Sequence, residues 1–215
     1  MDRLLFNKGH FGEALDTLRR ARLPRNASEE QRANVARTMR TCERMVELEP
    51  SLGAIAAGRI RPKNAAETLE FARLCQSKRY AAGACRLYRA AFVADARAAE
   101  DLVEGYRYDA ACCGALAGCG EGEDSKDLGA KARAGLRHEA SGWLRADLAL
   151  RAKQIVAGPG ATRTVALAAL RHWKRDRDLA GVREETELAK LPEGERAEWR
   201  GLWADVDALI AKAQK

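Results

Sequence analysis

The sequence is poor in the residues that build β-sheet. Valine and isoleucine together occur only twelve times in 215 residues, whereas alanine occurs 43 times. β-branched residues favour strands, while alanine is the strongest helix former. Proline, which breaks helices, occurs only five times. This composition predicts an all-α protein.

Long uncharged apolar runs are also missing. No stretch approaches the roughly 18 residues that a membrane-crossing helix needs. The first residue, Met1, is followed by charged Asp2 and Arg3, which is not the start of a signal peptide. The sequence therefore predicts no membrane segment and a cytoplasmic location. Because 32% of residues are charged and 47% hydrophobic, a disordered tail is excluded as well.

The motifs of catalysis and metal binding are absent. There is no glycine-rich kinase loop, no H-R-D and no D-F-G, so the chain lacks the phosphate cradle and the metal ligands of a kinase. The three histidines are scattered, and the cysteines have no C-x-x-C spacing. We expect no enzyme activity, cofactor, metal or small-molecule substrate, and we expect buried free thiols at Cys42, Cys75, Cys85, Cys112, Cys113 and Cys119.

Positively charged residues outnumber negatively charged ones, but they are not concentrated in one segment of the chain. The 38 Lys and Arg residues outnumber 31 Asp and Glu residues, which gives a net charge of +7. The basic residues are spread along the whole chain, and aromatic residues do not alternate with them. Stacking platforms for bases are therefore missing. This pattern disfavours nucleic acid as the partner.

Apolar residues recur with the 3.6-residue period of helices along most of the chain. Two N-terminal caps are visible, Ser28 with Gln31 and Asn64 with Glu67. The glycine-rich stretch 118–125 predicts an exposed connection. The predicted helices cover residues 11–21, 28–49, 64–77, 80–94, 108–119, 131–156, 162–174 and 192–213.

A short apolar pattern repeats after 70 residues, about twice the 34-residue period of tetratricopeptide repeats. The pattern comprises Ala14, Leu18 and Ala21, and then Ala84, Tyr88 and Ala91. Before the second copy it extends back through Phe71, Ala72 and Cys75, as in the first helix of such a repeat. We therefore predict an α-solenoid of tetratricopeptide-like helical hairpins.

Several ordered landmarks together carry a family resemblance. They include Tyr106-Arg107-Tyr108-Asp109 and lie in the segments 106–112, 140–148, 172–183, 188–192 and 199–206. With these landmarks the chain resembles the C-terminal tetratricopeptide region of large serine/threonine protein kinases of planctomycete-type bacteria. It departs from that family in two ways, because Asp109 stands where asparagine is usual and the kinase domain is absent.

The repeats and the resemblance imply an organisation and a function. Residues 1–120 are expected to form hairpins of which the first is truncated, and residues 121–215 a degenerate repeat with a C-terminal helical cap, all packed as one solenoid. The implied function is non-catalytic binding of a protein or peptide, as scaffold or regulatory region of a kinase signalling protein. If a membrane-spanning kinase preceded the chain, the region would be extracytoplasmic. A freestanding adaptor unrelated to phosphorylation and a basic RNA-binding solenoid are the alternatives.

Two groups of residues are singled out by their positions. Arg73, Gln76 and Lys78, on the helix before Tyr80, and Arg107 are the candidate protein contacts on the concave face of the solenoid. The last helix carries a continuous apolar stripe that includes two tryptophans. We expect this stripe to be buried as a structural cap against the helices that carry Trp143 and Trp173, with Trp199, Leu202, Trp203, Val206 and Ile210 as its members.

Overall fold

The computed structural model describes residues 9–21, 23–24 and 26–213, and within them it contains helices but no strand. The predicted all-α class is therefore confirmed. No helix in this part of the chain is long and apolar enough to span a bilayer. The α-helices are α1 Phe11–Arg20, α2 Glu29–Leu48, α3 Leu52–Ala56, α4 Ala65–Ser77, α5 Ala81–Ala94, α6 Ala96–Glu100, α7 Tyr106–Gly118, α8 Ala130–Ala157, α9 Gly160–Trp173, α10 Glu185–Leu188 and α11 Glu193–Lys212.

The long helices begin where the sequence predicts. Before α2, the Ser28 hydroxyl accepts from the Gln31 N–H, and the Gln31 side chain accepts from the Ser28 N–H, at 3.1 and 2.8 Å. The Asn64 side chain caps α4 by accepting from the Glu67 N–H. The short helices α3, α6 and α10 and the 3₁₀ segments Glu49–Ser51 and Arg177–Val182 have no clear periodic signal, because each is two turns or less.

The described residues form two apolar clusters that meet at α7. The first is built from α1 to α5 and includes Phe71 and Tyr88. The second is built from α8 to α11 and includes Trp173 and Trp199. Helix α7 contributes to both, with Ala110 and Cys113 in the first cluster and Ala111, Cys112 and Ala115 in the second.

The hairpin of α7 and α8 depends on the small residues of α7. An added Cβ at Gly114 would lie 3.1 Å from the Ala140 Cβ and 3.1 Å from the Leu136 carbonyl oxygen. At Gly118 it would collide with the Arg137 side chain. Glycine therefore allows the two helix axes to approach closely, as ridge-into-groove packing requires.

Four of the five residues in the apolar stripe of the last helix are buried as predicted, and the fifth, Ile210, is half-buried. Trp199 and Trp203 are 1% and 5% exposed, and Leu202 and Val206 are fully buried. The Trp203 indole N–H donates a 2.8 Å hydrogen bond to the Val182 carbonyl oxygen. Since α11 packs on α8 and α9, the helices that carry Trp143 and Trp173, the expected docking is confirmed.

The glycine-rich connection after α7 is only partly the exposed loop that the sequence suggests, with Glu121 and Glu123 exposed. Ser125 is completely buried and Asp124 is half-buried. Gly122 has a φ of +107°, and a Cβ there would lie 2.9 Å from the Ala81 Cβ. The prediction fails for the rest of the connection because it packs on the turn between α4 and α5, a contact between distant parts of the chain.

The two copies of the repeated apolar triple differ in their third member. Ala14 and Leu18 are buried like Ala84 and Tyr88, but Ala21 is exposed where Ala91 is buried. The helices α4 and α5 form a hairpin, as do α7 and α8. The predicted truncation of the first repeat concerns residues 1–8, which lie outside the described residues. The solenoid itself stays a prediction.

Candidate functional site

A groove of about 860 Å³ lies where the start of α1, the middle of α2 and the end of α4 meet. We call it the main groove. Its lining combines charged and polar side chains with the apolar side chains of Phe11 and Met45. The lining residues are His10, Phe11, Thr41, Met45, Arg73, Gln76, Ser77, Lys78, Arg79, Asp109, Glu123 and Asp178.

The end of α4 forms one lip of this groove through a left-handed residue, Arg79. The Arg79 N–H donates to the Gln76 carbonyl oxygen, and the Tyr80 N–H donates to the Cys75 carbonyl oxygen, which closes the helix. Glycine normally occupies this position, yet Arg79 has a φ of +62°. The Glu123 N–H fixes the turn by donating a 2.8 Å bond to the Arg79 carbonyl oxygen.

The floor of the main groove carries a polar chain that ends at Asp109. The hydroxyl of fully buried Tyr88 donates a 2.9 Å hydrogen bond to Gln76 Oε1, so the Gln76 amide nitrogen is directed toward Asp109. Burial raises the pKa of the Asp109 carboxyl to about 6, although Gln76 and Arg73 oppose the rise. The Asp109 carboxyl therefore keeps its proton to a higher pH than an ordinary aspartate does.

A second carboxylate, Asp178, lies in the same groove on the 3₁₀ segment Arg177–Val182. Burial and then the neighbouring charge of Asp176 raise the pKa of Asp178. Within the described residues, neither Asp109 nor Asp178 has a cationic nitrogen within 4 Å. The groove floor consequently holds two carboxylates without an ion pair.

The cations of the main groove are mostly compensated by acids outside it. Arg73 Nη2 lies 2.8 Å from Glu104 Oε2, and its guanidinium stacks 4.3 Å from the Tyr106 ring centre. Lys78 pairs with Glu49. Because Arg73 and Lys78 pair with these acids, their positive charges do not form ion pairs with the carboxylates of the groove floor.

A second groove of about 420 Å³ adjoins the main groove, and we call it the side groove. Both grooves are lined by Thr41, Met45 and Arg73, so they meet there. The side groove is otherwise strongly basic, since Arg37, Arg40 and Arg44 line it with Glu70 as its single acidic residue. The two grooves thus share a wall, and we call them together the channel. Its basic end is defined by Arg37 and Arg40 in the side groove, and its acidic end by the unpaired carboxylates of Asp109 and Asp178 in the main groove.

Three of the four sequence-predicted contact residues line this channel. Arg73, Gln76 and Lys78 face the main groove. Arg107 does not, because it is 9% exposed and its Nε donates a 2.6 Å bond to Asp147 Oδ1. The expectation that Arg107 contacts a partner is corrected on this ground, since its guanidinium is held in the interior.

The pair Arg107–Asp147 belongs to a buried polar cluster with Arg151. All three side chains are at least nine-tenths buried, and Arg151 lies 5.7 Å from the Trp173 ring centre. Burial lowers the pKa of Arg151 and raises that of Asp147. Asp147 thus lies between two buried guanidinium groups and, among the described residues, is the one carboxylate that interacts with them.

Sequence reasoning missed Arg37, Arg40, Thr41 and Asp178 as groove residues. The first three share one face of α2, but a polar face reads as ordinary solvated surface until α4 is placed beside it. Asp178 lies on a short 3₁₀ segment that carries no periodic signal. Asp109 was visible as a departure from the family pattern, although its place in the groove was not.

The cysteine thiols and the possible metal ligands are the other side chains that could carry chemistry. All six cysteines are free, and burial raises their thiol pKa, to about 12 for Cys75 and about 11 for Cys119. These thiols are therefore protonated and weakly nucleophilic. Among residues 9–21, 23–24 and 26–213, no group of three His, Cys, Asp or Glu side chains could hold a metal ion.

Comparison of the chain with protein-family models, with curated proteins and with solved structures finds no match. The resemblance to kinase-associated tetratricopeptide regions therefore rests on the sequence landmarks alone.

Proposed function

We propose that the chain is a non-catalytic interaction module that binds an extended segment of a partner protein in the channel formed by the main and side grooves. The observation that carries this proposal is the channel itself, which joins two grooves at Thr41, Met45 and Arg73. Concave sites of several hundred cubic ångströms are the usual places for ligands.

The walls of the channel are suited to holding a peptide. Helices α2 and α4 run along its sides, and rigid elements position contacts more accurately than loops do. Its lining combines the polar side chains of Thr41 and Gln76 with the edges of the largely buried apolar side chains of Met45 and Phe11. An extended peptide needs both kinds of contact.

The wider setting of this module is also a proposal. We propose that it serves as scaffold or regulatory region in a bacterial serine/threonine kinase signalling protein and is built as a solenoid of tetratricopeptide-like hairpins. The sequence landmarks support the kinase link, and the hairpins α4–α5 and α7–α8 are compatible with such repeats. Solenoids commonly bind partners on their concave side.

The experiment is a selection from a random linear peptide library displayed on phage. The enriched peptides are then synthesised, and their dissociation constants are measured. Thr41→Trp fills the junction of the two grooves and should weaken the selected peptides at least tenfold. Ala90→Trp is the matched control, because Ala90 is exposed and lines neither groove. Circular dichroism melts establish that both variants fold.

Two outcomes would overturn the proposal. One is a library that yields no peptide binding below millimolar concentration. The other is a set of selected peptides that bind folded Thr41→Trp and Ala90→Trp equally well.

A further inference from the structure

We infer that the channel selects a peptide with opposite charges at its two ends, with acidic residues over Arg37 and Arg40 and a basic residue over Asp109 and Asp178. This inference rests on the proposed function and adds the chemical class and the orientation of the ligand.

The basic end of the channel has uncompensated positive charge. Arg37 and Arg40 are exposed, lie one turn apart on α2 and line the side groove. No carboxylate of the described chain lies within 4 Å of either guanidinium group, whereas Arg44, one turn further, pairs with Glu47, Glu67 and Glu70. Like charges three residues apart on a helix repel. Carboxylates of a ligand would relieve this repulsion.

The acidic end has the opposite imbalance. Asp109 and Asp178 are half-buried in the main groove, and each lacks an ion pair among the described residues. Their raised pKa values reflect the lost hydration of both carboxylates. The facing cations are already engaged, since Arg73 pairs with Glu104 and Arg79 lies 3.8 Å from Glu121. An ammonium or guanidinium group of a ligand would supply the missing partner.

The distance between the two ends sets the spacing of the ligand charges. Arg37 and Met45, which lies at the junction of the two grooves, are eight residues apart on α2, so a ligand crosses at least about 12 Å between the basic end and the main groove. An extended peptide covers that distance with about four residues. The middle of the channel is lined by Thr41 and Met45, so the ligand should carry at least about four small or apolar residues between its charged ends.

A peptide fits this charge pattern better than a nucleic acid does. Phosphates would be attracted to Arg37 and Arg40, but the same strand would meet the carboxylates of Asp109 and Asp178 further along. Nucleic-acid channels track the backbone with positive charge throughout their length. The acidic floor of the main groove therefore favours a ligand whose charge changes sign.

Fluorescence anisotropy with two labelled peptides of identical composition provides the test. The block peptide is Glu-Glu-Glu-Gly-Ser-Gly-Ser-Lys-Lys-Lys, and its alternating isomer is Glu-Lys-Glu-Gly-Ser-Gly-Ser-Lys-Glu-Lys. We expect the block peptide to bind at least tenfold more tightly at low salt, with a smaller advantage at high salt because exposed charges are screened.

Variants that change the charges of the channel test which end of the channel binds which end of the peptide. Arg37→Glu with Arg40→Glu should weaken the block peptide at least tenfold and create binding of a labelled hexalysine peptide. Asp109→Asn with Asp178→Asn should weaken the block peptide through its lysine end. Lys153→Glu with Arg171→Glu is the control, because it changes the net charge as much as the first variant but involves exposed residues that line neither groove.

The outcomes separate this inference from the proposed function. If library-selected peptides are blocked by Thr41→Trp but the block and alternating peptides bind equally, the charge inference is wrong while the interaction module stands. If no peptide binds, both are wrong. If labelled twelve-residue oligouridine binds more tightly than the block peptide and loses binding in Arg37→Glu/Arg40→Glu, the basic end is a phosphate site and the inference is overturned.

Discussion

Asp124 caps a helix, α5, that begins 43 residues before it in the sequence. Its Oδ2 accepts a 2.7 Å hydrogen bond from the Gly83 N–H, and its Oδ1 accepts a 3.1 Å bond from the Ala82 N–H. The residue before α5, Tyr80, supplies no side-chain cap. The connection after α7 therefore satisfies the free N–H groups at the start of α5 and holds the turn beside the main groove.

Removal of this cap should destabilise the chain. Asp124→Ala leaves two N–H groups without a partner and should lower the free energy of unfolding by about 0.5–2 kcal/mol. Hydrogen exchange should increase first at the start of α5. Asp127→Ala is the control because Asp127 is exposed and outside this contact. Equal urea midpoints for the two variants would show that Asp124 contributes no capping energy.

Asp109→Asn should stabilise the protein at neutral pH. The raised pKa means that folding favours protonated Asp109, so the stability of the parent should fall as pH rises from about 4 to about 6. Well above pH 6 both the folded and the unfolded carboxyl groups are ionised, and the full penalty of up to about 3 kcal/mol applies. Asparagine is uncharged, so its burial does not carry this cost of losing hydration.

The measurement is urea unfolding of both proteins at pH 4 and pH 7.5. Asp109 faces Arg73 and Gln76 on α4, Tyr88 on α5, Cys112 and Cys113 on its own helix, Asp176 just before the 3₁₀ segment and Asp178 within it. These groups are the same in both proteins. The parent and the variant should be nearly equally stable at pH 4 and diverge by pH 7.5. A difference that is constant with pH would exclude the ionisation of Asp109 as its cause.

Asp147→Ala should be among the most destabilising single changes in the C-terminal half. It leaves the buried guanidinium groups of Arg107 and Arg151 without their negative partner. Loss of one member of a buried ion pair costs about 3–5 kcal/mol. The double change Arg107→Leu with Asp147→Leu should be less damaging in a chemical denaturation series. A harmless Asp147→Ala would mean that water already hydrates the two cations.

Trp203→Ala should lower the free energy of unfolding by about 3–5 kcal/mol. The ring is 5% exposed, stacks on Trp199 and donates to the Val182 carbonyl oxygen. Ala208→Gly is a useful control on the same helix, because its exposed position should cost only about 1 kcal/mol. If Trp203→Ala melted like the parent but lost a binding partner, the stripe would be an interaction surface instead of a cap.

Local signals made much of the fold predictable. The capping pairs Ser28–Gln31 and Asn64–Glu67 mark helix starts because their bonds lie within three residues of sequence. The stripe containing Trp199 and Trp203 predicts burial because its apolar residues cannot all face water. Arg73, Gln76 and Lys78 could be proposed as contacts because they share the end of one helix.

The features that sequence reasoning missed arise from contacts between distant segments. Asp124 looks like a loop residue until α5 is placed beside it. Arg107 looks like a surface cation, and its burial depends on Asp147, forty residues away on α8. The basic face of α2 becomes one side of a groove through packing against α4, which no local pattern encodes.

Helix α7 has consequences for how the molecule loses its structure. Its neighbouring alanines Ala110 and Ala111 belong to different apolar clusters. An enlarged side chain at Ala110 would press on the N-terminal side, and one at Ala111 would press on the C-terminal side. The same short helix can therefore report, through two adjacent positions, whether the halves of the chain melt together or in sequence.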